Sequence, residues 1–155
     1  MQRRFSTKPQ LDYIFFTDRD LGHIVPNALR QAGFKVERHA DHFATDSVDA
    51  DWLSEVGNRD WVALTHNWRQ RYVASERDAV MRSRLALFLL IGHASHDELA
   101  ANLVRTMPRV LRFLAKTDPP FIAKIYRPNT IANPDPDPGS VKMVLSLEEW
   151  IAGQP

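Results

Sequence analysis

Carboxylates follow one apolar segment of this 155-residue chain and open another. Asp18 and Asp20 come directly after the apolar run at residues 12–17, and Asp49 and Asp51 begin a later amphipathic segment. Carboxylates gathered without a basic partner repel one another, and a divalent cation that prefers oxygen ligands, Mg²⁺ or Mn²⁺, offsets that repulsion. Such an ion can activate water and hold a phosphodiester for in-line attack. The pattern therefore predicts metal-assisted hydrolysis, provided that the fold brings these groups together.

Cations and an aromatic residue follow a third apolar segment. Asn67 is followed by Trp68, Arg69 and Arg71. Arginine suits bidentate contacts to phosphate, and a Trp ring can stack on an unpaired base. Residues 12–60 carry ten acidic and five basic side chains, whereas residues 68–127 carry eleven basic and five acidic ones. We predict that Arg69 and Arg71 contact a nucleic-acid backbone; the alternative is two solvated faces of opposite charge.

Strands alternate with helices along the chain and would position these side chains. Apolar runs predict strands at residues 12–17, 34–39, 61–65, 85–91, 121–126 and 141–145. Helical spacing predicts helices at residues 24–32, 49–57, 69–82 and 96–116, the last kinked or split by Pro108, and a short amphipathic turn at residues 147–152. The first four strands alternate little, which favours a parallel sheet covered on both faces. Ligands of such sheets bind beyond the carboxyl ends of the strands, where Asp18 and Asn67 would lie.

The composition of the chain limits the classes of protein and of functional site to which it can belong. The chain has no cysteine, which excludes disulfide scaffolds, Cys-based zinc sites and thiol nucleophiles. The longest apolar run, residues 85–91, is too short to span a bilayer, and no apolar segment of a secretory signal follows the basic start. We therefore expect a cytoplasmic protein without a membrane partner. The predicted organisation is a basic leader at 1–11, one domain at 12–128, and a Pro-rich linker with a C-terminal extension at 129–155.

Several segments occur in a recognisable order and spacing. They are residues 15–22, 30–34, 49–53, 61–65 and 120–126. Together they resemble the PIN-like nucleases over about residues 12–128, in particular the VapC-type toxins of toxin–antitoxin pairs. The resemblance implies a three-layer α/β/α fold with a central, mainly parallel sheet. It also implies an endoribonuclease that depends on Mg²⁺ or Mn²⁺, acts on RNA and is restrained by a small antitoxin protein; it leaves homodimerisation open.

The resemblance also implies roles for individual residues. The carboxylate after the first strand falls on Asp18, and the one that opens the second helix falls on Asp49, with Asp51 as its neighbouring candidate. Asp20 is a supporting candidate for the metal. The position after the third strand, where the family usually shows Asp, is Asn67, so the expected site carries one negative charge fewer.

Two alternatives remain open on sequence grounds. Asn67 is compatible with a catalytically weakened PIN-like domain that binds RNA or a protein. Asp18-Arg19-Asp20 also resembles the DxD turn of haloacid-dehalogenase-like phosphatases, in which the first Asp is the nucleophile. That family needs a second acidic pair, and the later Asp-x-Asp of this chain, residues 135–137, lies in a proline-rich loop.

Two His-x-x-His pairs have a spacing that metal sites use. His39 and His42 are interpreted as surface histidines that flank the acidic segment. His93 and His96 are interpreted as part of a strand-to-helix turn, with Ser95 as the N-cap of the helix.

Overall fold

The computed structural model describes residues 12–66, 73–128 and 138–155. Its strands are β1 (Ile14–Thr17), β2 (Lys35–Arg38), β3 (Val62–Thr65), β4 (Ala86–Leu90), β5 (Phe121–Tyr126) and β6 (Ser140–Ser146). Its helices are α1 (Ile24–Gln31), α2 (His39–His42), α3 (Asp49–Asn58), α4 (Ala74–Ser83), α5 (His96–Lys116) and α6 (Leu147–Ala152). A 3-10 turn, Arg19–Leu21, follows β1. None of the helices in these ranges is long and apolar enough to cross a membrane.

The strands form one sheet in the order β2-β1-β3-β4-β5-β6. The first five strands are parallel, and β6 pairs antiparallel with β5 at one edge. Helices α1 and α5 cover one face, and α3 and α4 cover the other. The predicted three-layer α/β/α fold with a mainly parallel sheet is confirmed.

Residues of β1 alternate between the two cores. Phe15 packs in the cluster that contains Leu29 of α1 and Leu103 of α5. Phe16 packs in the opposite cluster, with Trp52 of α3. Both phenylalanines are fully buried, and burying one such side chain contributes about 1.5–3 kcal/mol. The strand is thereby fixed from both sides, and so is the residue that follows it, Asp18.

Helix α5 differs from its prediction. Of the predicted kink or split at Pro108, the split does not occur, because the helix runs unbroken for 21 residues through Pro108. Pro108 is exposed, and the carbonyl that loses its hydrogen-bond donor four residues earlier lies on the half-buried Val104. Buried residues before and after Pro108, including Leu103 and Leu114, pack in the core beneath the sheet and hold both halves of the helix there.

The segment at 138–155 packs onto the sheet. Gly139 N donates to Thr106 Oγ1 at 2.9 Å, and Arg109 Nη1 donates to Gly139 O at 2.8 Å. A Cβ on Gly139 would lie 1.8 Å from Tyr126 O, so only glycine allows this approach to β5. The edge strand β6 therefore begins at a fixed point beside the end of β5.

Candidate active site and metal centre

Asp18 lies where β1 ends and the 3-10 turn begins. Its backbone N donates to Leu64 O at 3.0 Å, which extends the pairing of β1 with β3 by one residue. Its Oδ1 accepts a hydrogen bond from Arg19 N at 2.7 Å, and its Oδ2 accepts one from Thr65 Oγ1 at 2.9 Å. Both carboxylate oxygens are thus held by groups at the carboxyl ends of two neighbouring parallel strands.

Asp20 shares a hydrogen-bond donor with Asp18. Its Oδ2 lies 3.2 Å from Thr65 Oγ1 and accepts a hydrogen bond from His66 N at 3.1 Å. Thr65 is fully buried and carries a single hydroxyl proton. Two ionised carboxylates cannot both receive that proton fully, so their pairing favours an added proton or a cation.

The electrostatics of Asp18 agree with this geometry. Burial, followed by the charge of Asp20, raises the pKa of Asp18 from 3.8 to about 6. The hydrogen bonds from Thr65 and Arg19 oppose that rise, and the charge of Asp49 adds to it. Asp20 and Asp49 therefore both lie within electrostatic reach of Asp18. Their oxygens suit a hard divalent cation, which would stabilise the ionised form that burial disfavours.

Asp49 is the first residue of α3 and is fixed by the core beneath that helix. Its Oδ1 accepts a hydrogen bond from Trp52 Nε1 at 2.8 Å. Trp52 is buried, and its ring lies 5.4 Å from that of Phe16 between centroids. Asp51 is exposed and points about 200° around the helix from Asp49. The structure therefore brings Asp49, and not Asp51, toward Asp18.

Arg19 is directed toward a buried histidine. Its Nε donates to His39 Nδ1 at 2.9 Å, and its Nη2 donates to Phe43 O at 2.7 Å. The His39 ring packs among Phe16, Phe43 and Trp52. Burial first, and Arg19 second, lower the pKa of His39, while Asp49 opposes them. Because Nδ1 accepts from Arg19, His39 is a neutral ring with its proton on Nε2.

The interpretation of His39 as a surface residue is wrong, since its side chain is buried under α3. His42 is exposed and lies 2.7 Å from Glu37 Oε1. The residues of this segment are mostly polar and gave no helix signal, but they form a one-turn helix, α2, that directs His39 inward.

Two further histidines hold the loops around Asp20. His66 Nε2 donates to Gly92 O at 2.7 Å, and His96 Nε2 donates to Asp20 O at 2.9 Å. Gly22 has φ +60°, and a Cβ there would lie 2.8 Å from the His96 ring. Neither histidine was predicted to be a site residue from sequence. Gly22, which closely follows Asp18-Arg19-Asp20, was the available sequence signal of a tight turn at this place. The predicted N-cap is confirmed, since Ser95 Oγ accepts from Glu98 N at 3.2 Å.

A cavity of about 140 Å³ opens beside Asp18. Its walls include His23 and Arg38 together with Arg19 of the 3-10 turn. Asp18 and Arg38 thus both border this cavity.

Comparison with known proteins assigns this arrangement to a family. The family described as PIN like domain matches residues 14–92, from the first residue of β1 to two residues beyond β4. The chain belongs to the PIN-like domain family. The resemblance inferred from sequence is thereby confirmed, and Asp18, Asp20, Asp49 and Thr65 all lie within the matched region.

A curated relative agrees with the family. VapC45 of Mycobacterium tuberculosis (strain ATCC 25618 / H37Rv), which is named as a ribonuclease, is 28% identical over 122 residues. The alignment covers 75% of this chain and 87% of the relative. Together the family and the relative support a nuclease.

Part of the predicted site lies outside the described residues of this PIN-like domain. Asn67, Trp68, Arg69 and Arg71 belong to residues 67–72, which separate β3 from α4. In the ranges that the structure describes, no group of three or more His, Asp or Glu forms a ready-made metal site. Asp18 and Asp20 share the hydroxyl of Thr65 as a hydrogen-bond donor, and Asp49 adds a third carboxylate near Asp18.

Proposed function

We propose that this PIN-like domain is an endoribonuclease that depends on Mg²⁺ or Mn²⁺ and acts in the cytoplasm as the toxin of a type II toxin–antitoxin pair. The observation that carries the proposal is the convergence of Asp18 and Asp20 on the single hydroxyl of Thr65, with Asp49 close enough to raise the pKa of Asp18. The relative named as a ribonuclease supports RNA as the substrate.

We assign the ligands of the metal to Asp18 and Asp49, with Asp20 in support. Asn67 follows the strand that carries Thr65 and would offer a neutral amide oxygen. Asp51 is exposed and turned away from this group, so we assign the metal ligand at the start of α3 to Asp49 alone. A divalent ion there would activate water and neutralise charge on the phosphodiester.

The residues of the chain orient the reactants around that centre. Thr65 Oγ1 and His66 N fix the two carboxylates after β1, and Trp52 Nε1 fixes Asp49. The oxygen of water forms a bond to phosphorus while the bond from phosphorus to the RNA 3′- or 5′-oxygen breaks, and the leaving oxygen takes up a proton as water loses one. We assign stabilisation of the phosphate charge to Arg69 and Arg71 and stacking on an unpaired base to Trp68.

A small antitoxin protein is the proposed partner. VapC45 carries the VapC name, and the resemblance to VapC-type toxins supports a partner of this kind. A short reading frame adjacent to the gene that restores growth on co-expression would support this partner. Growth that is unaffected by expression of the nuclease alone would count against the toxin assignment.

Cleavage of a mixed RNA pool tests the proposal. The purified protein is incubated with total RNA and with DNA of matched length, with Mg²⁺, with Mn²⁺ or with EDTA. We expect cleavage of RNA only when a divalent ion is present. Asp18→Asn should abolish it, whereas Asp51→Asn and the exposed control Asp41→Asn should retain it. Metal-independent cleavage, or cleavage by folded Asp18→Asn, would contradict the assigned site.

Asn67 favours a second candidate, a PIN-like domain that binds RNA without cleaving it. A site with one carboxylate fewer holds a hard cation less tightly. Tight RNA binding with no cleavage at any metal concentration would support this candidate. Hydrolysis of a phosphomonoester such as p-nitrophenyl phosphate, in place of RNA, would instead support the phosphatase alternative.

A further inference from the structure

Two lysines face each other across the last strand pair of the sheet. Lys124 of β5 lies directly opposite Lys142 of β6 in the antiparallel register. Their ammonium groups lie 5.7 and 5.6 Å from the centroid of the same ring, that of Tyr126. Like charges directly opposite each other in a sheet are destabilising, so this arrangement works against the stability of the fold.

No carboxylate relieves that repulsion in the described part of the chain. Neither lysine makes an ion pair there, although Arg127, next to Tyr126, pairs with Glu98 at 3.6 Å. Lys124 is half-buried and Lys142 is exposed. The Tyr126 ring attracts both ammonium groups and holds them together without neutralising either charge.

Protection of the sheet edge does not explain both lysines. A lysine on an edge strand discourages pairing with another chain, and Lys142 on β6 can serve in that way. Lys124 lies on β5, which is paired on both sides by β4 and β6. Its unneutralised charge therefore calls for an anionic ligand.

The lysine pair lies on the same face of the sheet as Asp49. Ile122 of β5 packs in the core cluster with Trp52 of α3, and Lys124 and Tyr126 follow it at alternate positions. Tyr126 ends β5, at the carboxyl edge of the parallel strands where Asp18 also lies. Three strand spacings of ~4.8 Å separate β1 from β5, or about 14 Å.

We infer that Lys124 and Lys142 form a phosphate-binding site for the RNA strand, about four nucleotides from the bond that is cleaved. The count follows from the 14 Å separation and a stacked rise of ~3.4 Å per nucleotide. The inference rests on the proposed ribonuclease function and extends it, because it gives the RNA a direction across the sheet from β1 toward β6.

The test compares RNA binding by charge-matched double variants. Lys124→Gln/Lys142→Gln is measured against Lys35→Gln/Lys116→Gln. Lys35 is the first residue of β2, and Lys116 is the last residue of α5, the helix that precedes β5. Fluorescence anisotropy with a twelve-nucleotide single-stranded RNA in EDTA gives the affinity at several salt concentrations. Two phosphate contacts predict a salt slope shallower by about 1.4 and binding about 25-fold weaker at 0.1 M salt than in the wild type. The control should change neither.

Two more readouts keep the inference open to refutation. The single variant Lys142→Glu, at an exposed position, places opposite charges across the strand pair, so it should be at least as stable as the wild type and bind RNA more weakly. Cleavage of a three-nucleotide RNA should be unchanged in Lys124→Gln/Lys142→Gln, whereas cleavage of the twelve-nucleotide RNA should slow.

Unchanged affinity and salt slope for the twelve-nucleotide RNA would overturn the site, and an acidic protein would then be its ligand class. If the wild type cleaves no RNA, the proposed function fails, while the binding comparison still decides the lysine site.

Discussion

Replacing Asp18 by Asn should stabilise the metal-free protein at high pH and destabilise it slightly at low pH. The pKa of Asp18 rises from 3.8 to about 6 on folding, mainly through burial and secondly through Asp20. The folded state therefore retains its proton more tightly than the unfolded state. The stabilising effect of the protonated carboxyl is complete below pH 3.8 and is lost as pH rises through 6.

The magnitude follows from that rise. A change of one in pKa corresponds to 1.36 kcal/mol, so ionisation of Asp18 destabilises the metal-free fold by up to about 3 kcal/mol at pH 8 and by about 0.5 kcal/mol at pH 4. Asn keeps one side-chain oxygen and loses one of the two accepted hydrogen bonds, which costs about 1 kcal/mol. Asp18→Asn should thus be about 2 kcal/mol more stable than the wild type at pH 8 and about 0.5 kcal/mol less stable at pH 4.

Urea unfolding followed by circular dichroism in EDTA measures this difference at pH 4, 5, 6 and 8. Asp41→Asn, an exposed change of the same kind on α2, is the control and should differ little from the wild type at each pH. Saturating Mn²⁺ should then stabilise the wild type and leave Asp18→Asn unmoved. A stability difference that does not change between pH 4 and pH 8 would refute the buried, repelled carboxylate described for Asp18.

Four other outcomes are expected. Asn67→Asp should tighten Mn²⁺ binding in calorimetry and speed cleavage most at low metal concentration, because a carboxylate adds charge to the ligand set; equal affinities would place Asn67 outside the site. Arg69→Ala/Arg71→Ala should flatten the salt dependence of single-stranded RNA binding by about 1.4, and an unchanged slope would leave these arginines as a solvated face. Trp52→Phe keeps a buried aromatic ring but removes the donor to Asp49, so the free energy of Mn²⁺ binding should fall by more than the free energy of unfolding. A larger loss in the free energy of unfolding would make the role of Trp52 purely structural. Gly22→Ala should lower the melting temperature by several degrees, since it combines φ +60° with a contact of 2.8 Å to His96; an unchanged melting temperature would argue against the fixed turn after Asp18.

The sheet could be predicted from sequence because its signals are local. Buried runs such as residues 61–65 and 85–91 contain little but apolar and β-branched residues, and β3 and β4 lie inside them. Once the first apolar run was recognised as a strand, the position of Asp18 at its end could be predicted as well. The edge strand β6 was also predicted from residues 141–145.

The contacts between distant segments could not be predicted in the same way. Thr65 is one residue of a strand pattern, and nothing near it in sequence shows that its hydroxyl meets Asp18 and Asp20, 47 and 45 residues earlier. His39 reads as polar, yet three aromatic rings and Arg19 make its burial favourable. Pro108 reads as a helix breaker, but its exposed position lets α5 continue.

The rate of RNA cleavage against Mn²⁺ concentration tests the central claim most directly. One fluorescent RNA is used with the wild type, Asp18→Asn, Asp49→Asn and Asp41→Asn at pH 7.5. The proposed centre predicts saturable cleavage by the wild type and Asp41→Asn, none in EDTA, and loss of at least a hundredfold in both site variants, since each removes a charged ligand of the ion. Cleavage of similar rate by folded Asp18→Asn and Asp49→Asn, or full activity in EDTA, would contradict a metal-dependent nuclease centred on these two carboxylates.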